Sequence, residues 1–172
     1  AMASYHSFAL PRPAADAMRS PRSRGEVLRE FTETFVAFFR KPQVGVALTF
    51  MLLYRLPEAQ LVKMITPFML DPTASGGLGL TPDQVGLVYG TIGVIGLMLG
   101  GIVGGLAAAR RGLRYWLHPM AWSMSLTCLT FVYLAVAQPS AIWEIYLCVF
   151  VEQLGYGFGF TAYMLYLIYF SA

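Results

Sequence analysis

Residues 81–114 read TPDQVGLVYGTIGVIGLMLGGIVGGLAAARRGLR. Thr81, Pro82 and Gln84 supply an N-cap, a proline at the first helical position and a capping-box partner, so a helix is predicted to begin there. After its first turn the segment carries no charged side chain until the arginine-rich turn that ends it. A bilayer core requires roughly 20 apolar residues per helix. The stretch therefore predicts a transmembrane helix over about residues 82–109.

The composition extends this prediction to the whole chain. Of the 172 residues, 57% are hydrophobic and only 12% are charged, and the mean hydropathy is +0.60. Soluble domains contain about 25% charged residues, so the chain is expected to be a membrane protein. Its apolar segments predict an all-α, polytopic helical bundle with four transmembrane helices, at about residues 43–70, 82–109, 115–137 and 141–170.

Basic residues indicate the orientation in the membrane. Seven of the twelve Lys and Arg residues precede residue 42, and none follows Arg114. If the helices alternate in direction, Arg40, Lys41 and the cluster at 110–114 flank the same side of the bilayer, which the positive-inside rule assigns to the cytoplasm. The net charge of +3 thus reflects membrane orientation, and we expect no nucleic-acid partner.

The N-terminal part is polar. Residues 1–22 are rich in Pro, Ala and Arg and are expected to form a disordered arm on the cytoplasmic side. Residues 23–42 combine a capping-box spacing, Ser23 and Glu26, with apolar residues at steps of three and four, which predicts an amphipathic cytoplasmic linker helix. Such a helix could lie on the membrane surface or pack on the cytoplasmic face of the bundle.

The first transmembrane segment contains an unusual group of polar side chains. Charge at membrane depth is energetically costly and commonly marks a solute or ion pathway. On an ideal helix, the charged members lie within an arc of about 140°, close to a proline expected to kink the helix. A structural ion pair between Arg55 and Glu58 is consistent with the pattern, and so is a solute-facing surface. Lys63 could instead extend toward the outer surface. The group consists of Arg55, Glu58, Gln60 and Lys63.

The last segment places an acidic residue above a row of tyrosines. Glu152, Tyr156, Gly159, Tyr163 and Tyr166 follow steps of four and three, so they are predicted to share one helix face. Tyrosines offer hydroxyl groups and aromatic faces to sugar or peptide ligands, which favours a cavity wall. An aromatic belt at the membrane interface is the alternative. A carboxyl group at this depth also suggests a proton-coupled process.

Glycines form a ridge on the second predicted transmembrane helix. Gly96, Gly100 and Gly104 make a continuous small-xxx-small pattern, and Gly101 and Gly105 are expected to widen it. Such ridges let helix backbones approach closely in lipid. The ridge could serve static packing or sliding during a conformational cycle.

Enzymatic chemistry is not indicated. The sequence contains no nucleophile–base set, no H-E-x-x-H motif and no phosphate-binding loop. Cys128 and Cys148 lie in apolar segments without metal-ligand spacing. We therefore expect no catalytic residue, no cofactor and no metal site.

The cytoplasmic turn resembles a loop signature of the major facilitator superfamily, G-x-x-x-D-R-x-G-x-R. The matching positions are Gly105, Arg110, Gly112 and Arg114, whereas Ala109 replaces the Asp, so the charge relay associated with that loop is not expected here. Within this superfamily the chain resembles the AmpG-like branch of muropeptide permeases and peptide or acetyl-CoA transporters. The likeness covers about residues 35–172 and rests on residues 53–64, 76–80 and 152–164.

This resemblance implies a twelve-helix fold of two halves, of which the present chain would supply helices seven to ten after the central linker. Helices seven and ten occupy equivalent positions in that fold and line its cavity, and they are the two segments that carry buried charges here. The resemblance further implies symport of a muropeptide or related sugar–peptide with protons across the bacterial inner membrane. The N-terminal half of the transporter would then be a missing partner, and the lipid bilayer its surroundings.

Two other functions remain compatible with the residues themselves. A small exporter could form from two copies of the four helices, with Glu58 or Glu152 as its proton-sensitive group. A membrane scaffold could pack on other proteins through the glycine ridge. The scaffold predicts that neutralising Arg55, Glu58 and Glu152 leaves function intact.

Overall fold

The computed structural model describes residues 23–171, and within that range it contains helices and turns but no strand. The predicted disordered arm at residues 1–22 lies outside the described residues. The described residues divide after Val44 into two compact units. The helices are α1 (Arg24–Arg40), α2 (Val44–Leu70), α3 (Pro82–Arg111), α4 (Leu113–Leu126), α5 (Leu129–Ala137) and α6 (Ile142–Ser171).

Helix α1 is the amphipathic segment of the first unit. Its N-terminus has a complete capping box, in which the Ser23 hydroxyl accepts from the Glu26 amide and the Glu26 carboxylate accepts from the Ser23 amide. Arg29 and Glu33 form an ion pair at 2.8 Å on its exposed surface. Apolar side chains at helical spacing remain exposed along it: Val27, Leu28, Phe31, Phe35 and Phe39.

Helix α3 begins as its capping residues predict. The Thr81 side chain accepts from the Gln84 amide, and the Gln84 side chain accepts from the Thr81 amide. The helix has one irregularity, a π-helical stretch over Val88–Gly93. It ends at Gly112, whose φ of +78° lies in the left-handed region. Only glycine adopts that conformation without strain, so the chain can turn there directly into α4.

The single helix predicted for residues 115–137 is interrupted in the structure. Helix α4 ends at Leu126 and α5 begins at Leu129. The Thr127 hydroxyl donates to the Ser123 carbonyl at 2.9 Å, and the Thr130 hydroxyl donates to the Thr127 carbonyl at 2.8 Å. Hydroxyl groups that bond the backbone in this way compete with the helical ladder. The break is local, and residues 113–137 together have the length and apolar character of one membrane span.

Helix α6 is the centre of the bundle because glycines bring two neighbours close to it. Against α3, a methyl group on Gly100 would overlap the Leu154 carbonyl, and one on Gly157 would overlap the Leu97 carbonyl. Against α4, a Cβ atom on Gly159 would lie 2.6 Å from the Met124 Cβ. Backbone contacts of this kind are characteristic of membrane helix pairs.

The glycine ridge of α3 is narrower than its sequence suggested. Gly96 and Gly104 pack against α6 beside Gly100, with added Cβ atoms 2.7 Å from the Phe150 carbonyl and 2.8 Å from the Thr161 hydroxyl, respectively. A Cβ atom on Gly101 or Gly105 would meet nothing within 4 Å, so the missing side chains of these two glycines do not widen the ridge as expected, although the Gly101 backbone contacts α6. The 3.6-residue repeat turns them about 100° away from their neighbours in the sequence.

The apolar helices have the dimensions that a bilayer requires. Pro82–Arg111, Leu113–Ala137 and Ile142–Phe170 are each long and apolar enough to cross a membrane, and a fourth span is reached only when α1 and α2 are counted together. Helix α2 has 27 residues, but its three charged side chains lower its hydropathy. The described part of the chain is thus an all-α, polytopic membrane bundle.

The packing of α3 on α6 gives a matched pair of substitutions. Gly100→Ala should destabilise the bundle by about 1–3 kcal/mol, because the added methyl group meets backbone that cannot move aside. Gly101→Ala should change the free energy of unfolding by less than about 1 kcal/mol or stabilise slightly, since alanine favours helix and its methyl group meets nothing. Denaturant unfolding in detergent micelles measures both, and equal stability of the two variants would contradict the packing.

Candidate functional site

Large aromatic side chains, in contrast to glycines, connect α2 to α6. The Tyr54 hydroxyl donates to the Gly159 carbonyl at 2.8 Å, and its ring stacks on Tyr163 with centroids 5.8 Å apart. One turn away, the Phe50 and Tyr166 rings have centroids 4.5 Å apart. Rings between two helices hold their backbones farther apart than glycines do. Polar side chains can therefore fit between α2 and α6.

Arg55 lies in this space. Its guanidinium is 3.1 Å from Glu58 Oε2, with the arginine side chain 35% exposed and the glutamate side chain 9% exposed. No aligned hydrogen bond reaches that oxygen, so the contact is an ion pair held by proximity of charge. Arg55 also donates a long hydrogen bond of 3.4 Å to the Tyr156 hydroxyl. A guanidinium has five N–H donors, and these two contacts occupy few of them.

Aromatic rings surround the same guanidinium. Its Cζ lies 5.2 Å from the Phe160 ring centroid and 5.7 Å from the Tyr163 centroid, both within cation–π range. The rings of Tyr156, Phe160 and Tyr163 stack in sequence along α6. The site is therefore one cation and one carboxylate against an aromatic wall.

A second carboxyl group lies deeper. Glu152 is 2% exposed, and Glu58 is 7% exposed. The two interact electrostatically across the gap between α6 and α2. The Gln153 amide donates to Glu152 Oε2 at 2.8 Å, whereas no Lys or Arg of the described range forms an ion pair with Glu152. An ionised carboxylate is poorly tolerated without a cation in such surroundings.

The structure separates the polar residues that the sequence grouped on α2. Gln60 and Lys63 are exposed, away from Arg55 and Glu58. Gln60 borders a groove of about 550 Å³ between α2 and α5, which is otherwise lined by apolar side chains such as Leu61, Phe68 and Phe131. A projection on an ideal helix gives only the angles between side chains. Which of these side chains become buried depends on where the neighbouring helices pack against α2.

Gly159, which the sequence grouped with Tyr156 and Tyr163 on one face, does not form part of a cavity wall. The side of Gly159 where a side chain would project is packed against Met120 and Met124 of α4. A larger cavity of about 580 Å³ lies nearby, lined by Phe50, Tyr54 and Ser125 among others. Neither this cavity nor the groove at Gln60 is lined by Arg55 or Glu152.

Sequence reasoning missed Tyr89. It lies in the π-helical stretch of α3, and its hydroxyl is buried beside Glu152 and Gln153 without an aligned hydrogen bond. A signal was present, since Tyr89 and Thr91 interrupt a helix that is otherwise apolar after its first turn.

The loop motif of Gly105, Arg110, Gly112 and Arg114 lies at the turn between α3 and α4. Gly105 and Arg110 are on the last turns of α3, Gly112 makes the turn, and Arg114 is in the first turn of α4. The arginines of this turn are exposed. Arg111 donates to the Tyr115 hydroxyl at 3.1 Å. Over residues 23–171, no group of three or more His, Cys, Asp or Glu side chains could hold a metal ion.

Comparison with known proteins identifies relatives. The chain is 28% identical over 137 residues to "Putative transporter AmpG 2" of Rickettsia typhi, which is 80% of this chain and 32% of that protein. It is 29% identical over 136 residues to the protein of the same name in Rickettsia prowazekii, covering 79% and 32% of the two chains. "Putative transporter AmpG 1" of the same organism is 27% identical over 133 residues, 74% of this chain and 28% of that one.

These relatives confirm the resemblance to AmpG-like permeases inferred from the sequence. The chain spans about a third of the length of the relatives that it matches, 32% for the first two. No family model and no solved structure matches the chain.

The contribution of the Arg55–Glu58 ion pair can be tested by measuring the free energy of unfolding of substituted chains. Arg55→Met should destabilise the bundle by about 3 kcal/mol, because it leaves the Glu58 carboxylate buried without a cation. Arg55→Met combined with Glu58→Met should recover most of that loss. Lys63→Met is the matched control, and its exposed side chain predicts a change within about 0.5 kcal/mol. Denaturant unfolding in micelles gives the free energies, and equal values for Arg55→Met and Lys63→Met would rule out a structural ion pair.

Proposed function

We propose that this chain is part of a proton-coupled secondary transporter of the major facilitator type, which imports a muropeptide or related sugar–peptide across the bacterial inner membrane. The observation that carries the proposal is the group of Arg55, Glu58 and Glu152 between α2 and α6, in which both carboxyl groups are buried and the guanidinium is partly buried. Charged side chains inside a membrane bundle are costly and commonly mark substrate, ion or proton pathways. The AmpG names of the relatives support the same class of solute.

The charges of the group suggest how protons are coupled. Arg55 balances Glu58 within 3.1 Å, which leaves Glu152 as the carboxyl group without a cation among the described residues. In a low-dielectric interior the group reaches neutrality when Glu152 carries one proton. Glu152 is therefore assigned as the proton carrier, with one proton moved per cycle.

Arg55 and the aromatic wall suggest how solute is held. The guanidinium retains donors that could pair with a carboxylate of the solute, for which its fork geometry is suited. Phe160 and Tyr163 flank that guanidinium, and aromatic faces of this kind pack well against sugar rings. A solute carboxylate bound to Arg55 would compete with Glu58. Binding and proton movement would thereby be linked through one cation.

The remaining features follow from the same assignment. Alternating access requires a second half of the fold, so the N-terminal half of the transporter is the expected partner, with α1 as the linker between the halves. The basic residues at Arg40, Lys41 and 110–114 would face the cytoplasm. The exposed apolar side chains of α3, such as Met98 and Ile102, would contact lipid.

Transport by a full-length permease carrying this segment tests the proposal. In proteoliposomes, Glu152→Gln should abolish accumulation of a labelled muropeptide driven by a pH gradient while retaining solute exchange at equal concentrations, because only the proton-linked step is lost. Glu144→Gln is the matched control, since Glu144 is on the same helix but accepts from Tyr133 at an exposed position.

Two outcomes would contradict the proposal. Uphill accumulation by Glu152→Gln would remove the proton role of this residue. Unchanged uptake after neutralising Arg55, Glu58 and Glu152 together would show that these charges are not part of the transport pathway.

A further inference from the structure

We propose that Tyr89 is a positioning residue for Glu152, whose hydroxyl group exchanges hydrogen-bond direction with the carboxyl group when that group gains or loses its proton. This inference rests on the proposed function in one respect, the role of Glu152 as the proton carrier. The contact itself can be tested without transport.

The hydrogen-bonding state of Tyr89 is the first observation. Its hydroxyl oxygen is buried and has no aligned partner, although Glu152 and Gln153 lie beside it. Leaving a buried hydroxyl group unsatisfied is unfavourable. The large majority of buried polar groups in native structures have at least one hydrogen-bond partner. The neighbouring group that can change its hydrogen-bonding character is the Glu152 carboxyl group.

The chemistry of the two groups is complementary in both protonation states. A phenol hydroxyl can donate or accept, whereas a carboxylate only accepts and a carboxylic acid can also donate. When Glu152 is ionised, Tyr89 donates to it. When Glu152 is protonated, the acid donates to the Tyr89 oxygen. Tyr89 can therefore remain a partner in both protonation states by rotating its hydroxyl group, whereas the Gln153 amide, which donates from Nε2 to Glu152, would have to turn over to present its oxygen.

The local backbone of α3 supplies the second observation. Tyr89 lies within the π-helical stretch Val88–Gly93, and such stretches occur frequently at functional sites. Both ends of the stretch are fixed against α6. Val88 is fully buried in the core with Val149, and a Cβ atom on Gly93 would lie 3.3 Å from Gln153 Cγ. The wide turn is thus held in the register that presents Tyr89 to Glu152.

The other ionisable groups around Glu152 are already engaged. Glu58 on α2 interacts with it electrostatically, but Glu58 is paired with Arg55. Cys128, between α4 and α5, also lies within electrostatic range of Glu152, but its thiol donates to the Met124 carbonyl at 3.3 Å. Tyr89 is the group from α3 whose hydroxyl remains available.

Infrared difference spectroscopy of the chain in lipid nanodiscs, between acidic and alkaline pH, tests the inference. The carboxylic C=O band of Glu152 is identified as the band that Glu152→Gln removes. Tyr89→Phe should shift this band to higher frequency, because the carboxylic acid loses a hydrogen bond. Tyr169→Phe is the matched control, since Tyr169 is 79% exposed, and it should leave the band in place. An unshifted band in Tyr89→Phe would overturn the inference.

A measurement on the unsubstituted chain covers the case in which Tyr89→Phe does not fold. Solid-state NMR with labelled tyrosine Cζ should show the Tyr89 resonance moving with pH, and the movement should be absent in Glu152→Gln. A Tyr89 resonance that does not respond to pH would also overturn the inference. If these signals behave as expected while a full-length Glu152→Gln permease still accumulates solute, the contact stands and the proton-coupling proposal falls.

Discussion

The close approach of α3 and α4 to α6 is the constraint on which the rest of the structure depends. Gly100 and Gly157 bring the α3 and α6 backbones together, and Gly159 admits the Met124 side chain of α4. In lipid, where apolar side chains gain nothing by leaving their surroundings, contacts of this kind determine helix association. Helix α6 is fixed on two sides, and the face left toward α2 carries Tyr156 and Tyr163.

This arrangement explains why charge can exist inside the bundle. Helices in contact through glycines leave no volume between them for polar side chains. The aromatic rings between α2 and α6 hold these helices farther apart and leave such a volume. Arg55 occupies that volume with its charge delocalised over a planar group, paired with Glu58 and flanked by rings. Glu152 lies on α6 between the glycine-mediated contact with α3 and the aromatic contact with α2. The two types of packing thus place a paired charge and an unpaired carboxyl group side by side.

The sequence predicted the secondary-structure elements more accurately than the contacts between them. The start of α3 follows from the local chemistry of Thr81 and Gln84, and helix caps are local by nature. The positions of Arg55, Glu58 and Glu152 in apolar segments were also readable, because they depend only on composition. Which side chains meet depends on packing between helices. Gly159 lies against α4, and Lys63 is exposed, as one of the two alternatives for it expected.

Two further differences have specific physical causes. The interruption at Thr127 arises from hydroxyl–carbonyl bonds, a weak local competition that apolar periodicity does not reveal. Tyr89 was missed because a π-helical stretch changes the angle between residues, so a regular projection of α3 does not show which neighbour it faces. Its partner is also more than sixty residues away in the sequence.

The accessibility of the face between α2 and α6 tests the central claim most directly. In a full-length permease carrying this segment, with Cys128 and Cys148 replaced by Ser, single cysteines would be introduced as Tyr156→Cys, Tyr163→Cys and, for a lipid-facing control, Met98→Cys. We expect a membrane-impermeant thiol reagent to modify the first two, solute to protect them, and the control to remain unmodified. If positions 156 and 163 are as unreactive as position 98, with and without solute, the buried charges do not line a solute pathway.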